Sequence, residues 1–495
     1  MRRNVIGATE DHDRVNRIRN VHKPAVHALT KDLGDVGKEH RHRYDANAGV
    51  LCVLWNVVSR RRTRLRLDAK YCGRTDHRQN RGDLLTRFKE GHRVSLTPPP
   101  PPLRPPTPYL RPVVFTVLGA GLQGCACAYD LLQQPATTEV RLADRRPRDL
   151  PAYLKPHVGG RLSFHTLDAN DAKAVARVVR GSKAVMCAMP YQFNLALAHI
   201  AVTERVHFSD LGGNTEIVFR QHNELDDLAK AHGVSVIPDC GLAPGLVNIV
   251  AQMGIRRCDT VSAVRLFVGG LPQHPEPPLN YQLVYSLEGM LDYSTTPSWV
   301  LRDGARTQVT ALSERVTVDF AQPLGRLEAF HTAGGLSTMA FRYEGRIGTM
   351  EYKTLRYPGH AQIIEAMREL GFFSLDPIDV NGQRIVPRQV SIAVMEPSLR
   401  KPASADLVAL RVIVEGTKAS KPVRHEWELV DHYDAERGIT AMMRTTGYSL
   451  SITGQMQASG AIDLAGVYTP DECVPGEAYL AELAKRGVIV SERSQ

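Results

Sequence analysis

Apolar residues in the middle of the chain alternate between short continuous runs and longer stretches with helical spacing. Residues 113–118 form a strand-length apolar run, residues 119–124 a glycine-rich turn, and residues 125–134 a helix pattern. Further strands are predicted at 139–143, 162–166, 184–188, 206–209 and 234–238, and further helices at 173–179, 195–203 and 222–232. Strands that alternate with helices at this spacing predict an α/β fold with a doubly wound parallel sheet of the Rossmann type over residues 113–245.

Beyond residue 245 the pattern changes to longer strands with alternating apolar and polar positions. These predicted strands cover 261–268, 309–320, 326–331, 339–343, 346–353, 407–414 and 425–430. Few helices interrupt these strands, and the clearest, 361–370, ends at Gly371 as its C-terminal cap. We therefore expect an α+β domain with a mostly antiparallel sheet over residues 246–435, which binds substrate and forms the dimer contact. Residues 436–495 are again helical and are expected to pack back on the Rossmann domain.

The first 112 residues show neither the helical nor the strand period of apolar positions, and they carry the net positive charge of the chain. They hold 24 of the 62 Lys and Arg but only 11 of the 52 Asp and Glu, which leaves 38 basic against 41 acidic residues in the remainder. Nine of the fifteen residues at 98–112 are proline, and the next methionine after Met1 is Met186. We expect a disordered, basic, Pro-rich segment and hypothesise an upstream extension of the reading frame. The alternative is a basic arm that binds nucleic acid or acidic lipid.

Composition excludes several classes of protein. The longest uncharged apolar stretch near the start, residues 51–58, is far shorter than the roughly 20 residues of a membrane span. Eight cysteines without a Cys-x-x-Cys spacing indicate neither a disulfide framework nor a zinc site. We therefore expect a cytoplasmic protein with no membrane contact and no metal.

The turn Gly119-Ala-Gly121-Leu-Gln-Gly124 lies between a predicted strand and a predicted helix. In a dinucleotide site the first glycine permits the tight turn, the second lets the backbone approach a pyrophosphate, and the third lets helix and strand pack closely. An acidic residue about 20 positions further on binds the ribose hydroxyls. Asp144 stands 20 residues after Gly124, so this segment predicts a dinucleotide cofactor.

The choice of cofactor depends on the residues around Asp144. A carboxylate there repels a 2′-phosphate and favours NAD, whereas Arg145 and Arg146 could attract one and leave NADP open. Asp168, after the third predicted strand, is a candidate for the adenine edge, with a turn-forming aspartate as the equal alternative.

Several longer segments resemble a known family. VSVIPDCGLAPGLVNIVA at 234–251 resembles the junction loop of the saccharopine dehydrogenase superfamily. The closest resemblance is to its L-lysine 6-dehydrogenase branch, and it covers residues 113–490. It is carried by GGLPQHPEPPLNYQLVYSLEGMLDYS at 269–294, LEAFHTAGG at 327–335, KTLRYPGH at 353–360 and TAMMRTTGY at 440–448.

The resemblance implies an NAD-dependent homodimer or higher homo-oligomer whose small-molecule substrate is an amino acid. The implied reaction oxidises the ε-amine of L-lysine to the 6-semialdehyde, which cyclises, and releases ammonia. Saccharopine dehydrogenase is the alternative within the same enzyme class. A catalytically idle Rossmann protein whose basic arm binds nucleic acid is the alternative of another class, although no nucleic-acid partner is expected.

Ligands of such folds lie beyond the carboxyl ends of the strands. This rule predicts that Met189, Gly241 and Pro244 lie at the cofactor and that Asp210 and Asp239 lie at the reaction centre. Either carboxylate could serve a cationic amine as a base or as a counter-charge. The alternative for each is an aspartate that caps a strand-to-loop junction.

The segments that resemble the lysine branch supply the candidate substrate residues of the second domain. These candidates are Tyr281, Glu288, Asp292, Lys353, Arg356 and His360. Arg356 is our choice for a bidentate pair with the substrate carboxylate, with Arg342 and Arg444 as rivals. For His360, a hydrogen-bonded loop histidine is preferred over a general base.

Overall fold

The computed structural model describes residues 113–146, 149–401 and 404–494. The extension expected at residues 1–112 lies outside the described residues. Within the described ranges, no helix is both long enough and apolar enough to cross a membrane.

The first sheet has seven parallel strands, with helices packed on its faces. Its strands are β1 (Val113–Leu118), β2 (Thr137–Asp144), β3 (Leu162–Thr166), β4 (Ala184–Cys187), β5 (His207–Asp210), β6 (Ser235–Ile237) and β17 (Gly466–Val467). Its helices are α1 (Leu122–Leu132), α2 (Ala172–Val179), α3 (Asn194–Thr203) and α4 (Thr215–His232). The strand order is β17-β6-β5-β4-β1-β2-β3. The central strands β1 and β4 are apolar and almost wholly buried because helices cover the sheet.

The second sheet has nine strands, all of whose pairings are antiparallel except that of β7 with β12. Its strands are β7 (Thr260–Pro272), β8 (Ser298–Arg302), β9 (Ala305–Val309), β10 (Val316–Asp319), β11 (Arg326–His331), β12 (Thr349–Arg356), β15 (Asp406–Lys418), β16 (Lys421–His432) and β18 (Ser491–Ser494). A separate hairpin joins β13 (Ile378–Val380) to β14 (Gln383–Ile385). The accompanying helices are α5 (Leu246–Arg257), α6 (Leu287–Thr295), α7 (Met339–Arg342), α8 (His360–Glu369) and α9 (Pro387–Leu399).

Three further helices follow, α10 (Ala441–Ser459), α11 (Pro470–Cys473) and α12 (Gly476–Lys485). Helix α10 packs tightly on α1 and on β4 of the first sheet. A methyl group added at Gly447 would lie 2.7 Å from the Ala126 side chain, and one added at Gly454 would lie 2.4 Å from the Met186 sulfur. Both glycines therefore permit a close approach that larger residues would prevent.

Two strand predictions are wrong. Residues 339–343 form helix α7 and the residue after it, because a short buried apolar run fits a helix as well as a strand. The predicted strand 309–320 is broken between β9 and β10, where Leu312 and Glu314 adopt left-handed backbone angles of φ 68° and 48°. Helix α5 was missed, because its almost fully buried residues 246–254 show no helical period.

Candidate functional site

The glycine turn after β1 has the shape of a pyrophosphate cradle. Gly119 has φ +99°, and a methyl group at Gly124 would lie only 1.8 Å from the Gly119 carbonyl oxygen. A methyl group at Gly121 would meet no atom within 4 Å, so the turn is open on that side. Gly121 also caps α1 without a side-chain hydrogen bond, which leaves the first N–H groups of the helix for a ligand. The three glycines thus have the separate roles that a dinucleotide requires.

Asp144 ends β2 beside this turn. Its carboxylate accepts hydrogen bonds from the Ala120 N–H at 2.9 Å and from the Arg146 N–H at 3.2 Å. Met189 is also adjacent, since a methyl group at Gly119 would lie 3.1 Å from its Cγ. Asp144 and Met189 therefore flank the place where the nucleotide would lie.

Asp168 is exposed and lies in a turn. One of its carboxylate oxygens accepts hydrogen bonds from the Asn170 backbone N–H and side-chain amide, each at 3.0 Å. These contacts are those of a turn-forming aspartate.

Asp210, at the end of β5, is fully buried and organises two loops. One oxygen accepts from the Gly212 N–H at 2.7 Å and the Asp239 N–H at 3.3 Å, and the other accepts from the Gln221 amide at 2.8 Å. Burial raises the pKa of this carboxyl to about 6. Because both oxygens are engaged, Asp210 is better suited to hold the loops than to contact a substrate.

Asp239 follows β6 and is only 2% exposed. One of its oxygens accepts a hydrogen bond from the Ser337 hydroxyl, and the other, Oδ1, is buried with no hydrogen-bond partner. Burial, together with the nearby Asp210 carboxylate, raises the pKa of Asp239 to about 7, although the Ser337 hydrogen bond opposes this shift. Asp239 can therefore gain or lose a proton near neutral pH.

The segment from Gly241 to Gly245 forms a tight loop ahead of α5. The Gly241 carbonyl accepts from the Leu246 N–H at 2.9 Å and from the Ser449 hydroxyl at 3.0 Å. A methyl group at Gly241 would lie 3.2 Å from the Pro244 carbonyl oxygen. Gly241 and Pro244 therefore shape the backbone of this loop.

Arg356, at the end of β12, is 4% exposed and lies over the ring of Tyr281. Its Nη1 donates to the Leu355 carbonyl at 2.8 Å, whereas its Nε is buried and unbonded, as is the Tyr281 hydroxyl. His360 packs edge-on against Tyr281 at a centroid separation of 5.3 Å. Burial lowers the pKa of His360 to about 3, so its imidazole is neutral and contacts the Leu279 carbonyl oxygen.

The other candidate arginines have carboxylate partners. Arg342 is paired with Asp471, and Arg444 is paired with Asp431 at 2.9 Å. Of the two buried arginines in the described ranges, Arg388 pairs with Asp292 and only Arg356 has no acidic partner. A buried guanidinium without a counter-charge is costly unless a ligand supplies one.

The three other predicted substrate residues have different surroundings. Glu288 is exposed in the first turn of α6, and Asp292 is engaged by Arg388. Lys353 is three residues before Arg356 on the same strand, so their side chains point to opposite faces of the sheet. Its Nζ donates to the Glu314 carbonyl at 2.8 Å.

Lys353 belongs to a charge cluster with Glu314, His331 and Glu351. The atoms of these last three side chains that could bind a metal ion lie within 4.8 Å of one another. Such a set could bind a metal. However, Arg302 donates to Glu314 at 2.7 Å and to Glu351 at 2.8 Å. A guanidinium thus already balances these carboxylates.

The sequence prediction named Tyr281 and Tyr293 but missed Ser337, Tyr285 and Tyr352. The rings of Tyr285 and Tyr293 are 6.4 Å apart, and the ring of Tyr352 abuts Gly335. A methyl group at Gly213 would lie 2.8 Å from the Tyr293 hydroxyl oxygen, so this phenol reaches the loop after β5. The repeated tyrosines at 281, 285 and 293 were the available signal.

Two models of known protein families match the chain, one over the first sheet and one over the second. Residues 115–237 match the model of the saccharopine dehydrogenase NADP binding domain, and residues 241–488 match the saccharopine dehydrogenase C-terminal domain. The chain belongs to the saccharopine dehydrogenase family. This family assignment confirms the predicted superfamily and an NAD(P)-binding first domain.

Individual relatives of this saccharopine dehydrogenase family member are distant. The saccharopine dehydrogenase [NADP(+), L-glutamate-forming] of Pyricularia oryzae is 27% identical over 220 residues, or 42% of this chain and 47% of that protein. The chain therefore matches about half the length of that relative. The carboxyaminopropylagmatine dehydrogenase of Synechocystis is 21% identical over 397 residues, or 75% of this chain and 95% of that protein.

Among solved structures, the saccharopine dehydrogenase (L-Glu forming) of Saccharomyces cerevisiae has a TM-score of 0.64. It is 19% identical, and the match covers 77% of this chain and all of that one. This likeness confirms the predicted fold class, a parallel Rossmann-type sheet joined to a mostly antiparallel sheet.

Proposed function

We propose that this member of the saccharopine dehydrogenase family is an NAD-dependent amine dehydrogenase that oxidises the ε-amine of L-lysine. The observation that carries the proposal is Arg356, the one buried arginine of the described ranges without an acidic partner. Its planar guanidinium suits a carboxylate, and the unbonded Tyr281 hydroxyl beside it can donate a further hydrogen bond. A single unpaired cation favours a substrate with a single carboxylate at that end, which is the case for lysine.

The cofactor fits the residues around the first glycine turn. The open side of Gly121 and the first N–H groups of α1 would bind the pyrophosphate, and Asp144 would bind the ribose hydroxyls. When bound, the nicotinamide accepts a hydride. We propose NAD because the Asp144 carboxylate, which already accepts two backbone N–H bonds, disfavours a 2′-phosphate.

In the proposed reaction Arg356 anchors the α-carboxylate and Asp239 serves the distal amine. Asp239 takes a proton from the substrate ammonium, so that the carbon bearing the free amine can lose its hydride. Asp239 then releases this proton to solvent and takes a second one from the water that adds to the protonated substrate imine. It returns the second proton to the nitrogen, and the product breaks down to the aldehyde and ammonium. A carboxyl whose pKa is raised to about 7 by burial is suited to give and take a proton at neutral pH.

Saccharopine dehydrogenase activity is the second candidate, because the named Pyricularia oryzae and yeast relatives carry that name. Saccharopine bears several carboxylates, which calls for additional cations near the site. Arg342, Arg388 and Arg444 are already paired with aspartates. This pairing favours the smaller substrate.

The test is a substrate panel with the full chain. L-lysine, L-ornithine and saccharopine are each offered with NAD⁺ and with NADP⁺, and reduced cofactor, ammonia and glutamate are measured. We expect lysine with NAD⁺ to give reduced cofactor and ammonia in equal amounts, together with the cyclic imine. Glutamate released from saccharopine without lysine turnover would contradict the proposal.

The alternative function, binding of nucleic acid by the basic arm, predicts a different experimental result. It would be supported if no amine were oxidised and if the chain were retained on DNA in a salt-dependent way that deletion of residues 1–112 abolished.

A further inference from the structure

The turn at residues 333–338 of the second domain is held against the loop that follows β6. Asn248 joins them, since its Oδ1 accepts from the Gly245 N–H at 2.7 Å and its Nδ2 donates to the Gly335 carbonyl at 3.1 Å. The second link is the hydrogen bond from the Ser337 hydroxyl to the Asp239 carboxylate. The Asp239 side chain is therefore positioned by both domains.

The backbone at both ends of this hydrogen bond is unusual. Asp239 has φ 64° and Ser337 has φ 51°, a left-handed conformation that glycine adopts more readily than serine. Such conformations persist where the surroundings enforce them and are concentrated at functional sites. A serine here, buried to 6% exposure, indicates that the position needs its hydroxyl.

The two oxygens of Asp239 differ in their surroundings. Ser337 binds Oδ2, whereas Oδ1 is buried and lacks a hydrogen-bond partner. Oδ1 faces Gly212, where an added methyl group would lie 1.6 Å from it. Ser337 thus fixes the carboxylate by one oxygen, while the other oxygen packs against the glycine loop after β5.

We propose that Ser337 is an interdomain positioning residue for Asp239, whose hydroxyl holds the carboxylate in one orientation by Oδ2 and stabilises its ionised form. This inference rests on the proposed function in one respect, namely that Asp239 is the proton acceptor.

The charged and titratable groups around Asp239 make the sign of the effect clear. Burial raises its pKa most, and the Asp210 and Asp471 carboxylates raise it further, whereas the Ser337 hydrogen bond and the nearby Gly213 backbone N–H lower it. The Tyr293 phenol and the Cys240 thiol also face it, and burial raises the pKa of each, so both are neutral at the pH of interest. Removal of the Ser337 hydroxyl therefore favours the protonated carboxyl.

The first measurement needs no substrate. Infrared difference spectra of the full chain are recorded across a pH titration, and the Asp239 carboxyl band is identified by its loss in Asp239→Asn. In Ser337→Ala we expect the titration midpoint to lie about one pH unit higher, the size expected for loss of a hydrogen bond to a charged group. An unchanged midpoint would overturn the inference, whatever the substrate proves to be.

Two further variants separate the hydroxyl from its backbone. Ser337→Gly suits the left-handed angle and removes the hydroxyl without strain, so it provides the test if Ser337→Ala does not fold. Ser313→Ala is the matched control, because it removes a hydroxyl of the same domain that only contacts the Thr310 carbonyl. We expect the midpoint to rise in Ser337→Gly and to stay unchanged in Ser313→Ala.

Kinetics supply the second readout. With the amine that the wild type oxidises, the acidic limb of the kcat profile should move to higher pH in Ser337→Gly, while KM changes less than kcat. Equal loss of activity at every pH would show a merely structural role. If the wild type oxidises none of the amines, the proposed function fails, and the infrared result still decides the role of Ser337.

Discussion

The guanidinium carbon of Arg356 lies 4.7 Å from the centre of the Tyr281 ring. This cation–π contact supports the arginine from one side but provides no negative charge. The buried and unbonded Nε of Arg356 and the hydroxyl of Tyr281 remain for a ligand. The pair is therefore arranged as a receptor for a carboxylate.

Replacement of Arg356 by methionine distinguishes a role in substrate binding from a role in the stability of the fold. In Arg356→Met we expect KM for the amino acid to rise about tenfold to a hundredfold, as for loss of a hydrogen bond to a charged group. NAD⁺ affinity should be retained and the urea midpoint should change little, because no buried charge is left without its counter-charge. Steady-state kinetics, cofactor titration and urea unfolding measure these three quantities. Arg326→Ala, an exposed arginine in the same domain, is the control, and an unchanged KM in Arg356→Met would refute the carboxylate assignment.

The glycine turn gives a second prediction. Gly121→Ala should fold normally, because the added methyl group meets no atom and Gly121 has φ −76°. It should weaken NAD⁺ binding about tenfold to a hundredfold, because the methyl group occupies the pyrophosphate space. Thermal melting without cofactor and calorimetric titration with it test the two halves.

Two other glycine variants serve as controls for Gly121→Ala. Gly124→Ala should lower the melting temperature itself, since its methyl group would collide with the Gly119 carbonyl. Gly160→Ala places a methyl group at an ordinary contact distance of 3.5 Å and should change neither quantity. Unaltered cofactor affinity in Gly121→Ala would argue against a dinucleotide at this turn.

The glycine turn was predictable from sequence because its roles are local. Strand, turn and helix follow one another within about twenty residues, and Asp144 lies at a fixed distance along the chain. Asp239 could also be placed, since the rule for the carboxyl ends of parallel strands needs only the strand order.

The contacts between domains were not predictable in this way. Ser337 meets Asp239 across 98 positions of sequence, and no local pattern marks that pair. Lys353 and Arg356 share one motif, yet only the paired strand shows that they point to opposite faces. Residues 339–343 were wrongly expected as a strand, because tertiary packing decides between strand and helix in so short a run.

Lys353 provides the third prediction. Its Nζ contacts the Glu314 carbonyl in the charge cluster with Glu351, away from Arg356. Lys353→Met should therefore leave KM for the amino acid within about twofold while lowering the free energy of unfolding by about 1 kcal/mol for the lost hydrogen bond. Urea unfolding and kinetics measure the two effects. Lys421→Met, an exposed lysine of β16, is the control, and a large rise in KM with Lys353→Met would return Lys353 to the substrate site.

The last prediction concerns the pH dependence of stability at Asp239. Burial raises its folded-state pKa from 3.8 to about 7, so the folded protein binds this proton more tightly than the unfolded chain does. Well below pH 3.8 the carboxyl is protonated in both states and contributes nothing to the pH dependence. As the pH rises towards 7, the unfolded state loses its proton first, and the fold is progressively destabilised.

Asp239→Asn removes this penalty, so its stabilising effect should grow with pH. Relative to wild type, we expect the free energy of unfolding to increase by about 2 kcal/mol more at pH 8.5 than at pH 5.5, while amine oxidation is lost. Urea unfolding at the two pH values measures the difference, and the exposed Asp463→Asn should show none. A gain in stability that is equal at both pH values would mean that Asp239 does not titrate between them. In that case the carboxyl could not exchange a proton with an amine at neutral pH, and the base of the proposed reaction would have to be sought elsewhere in the site.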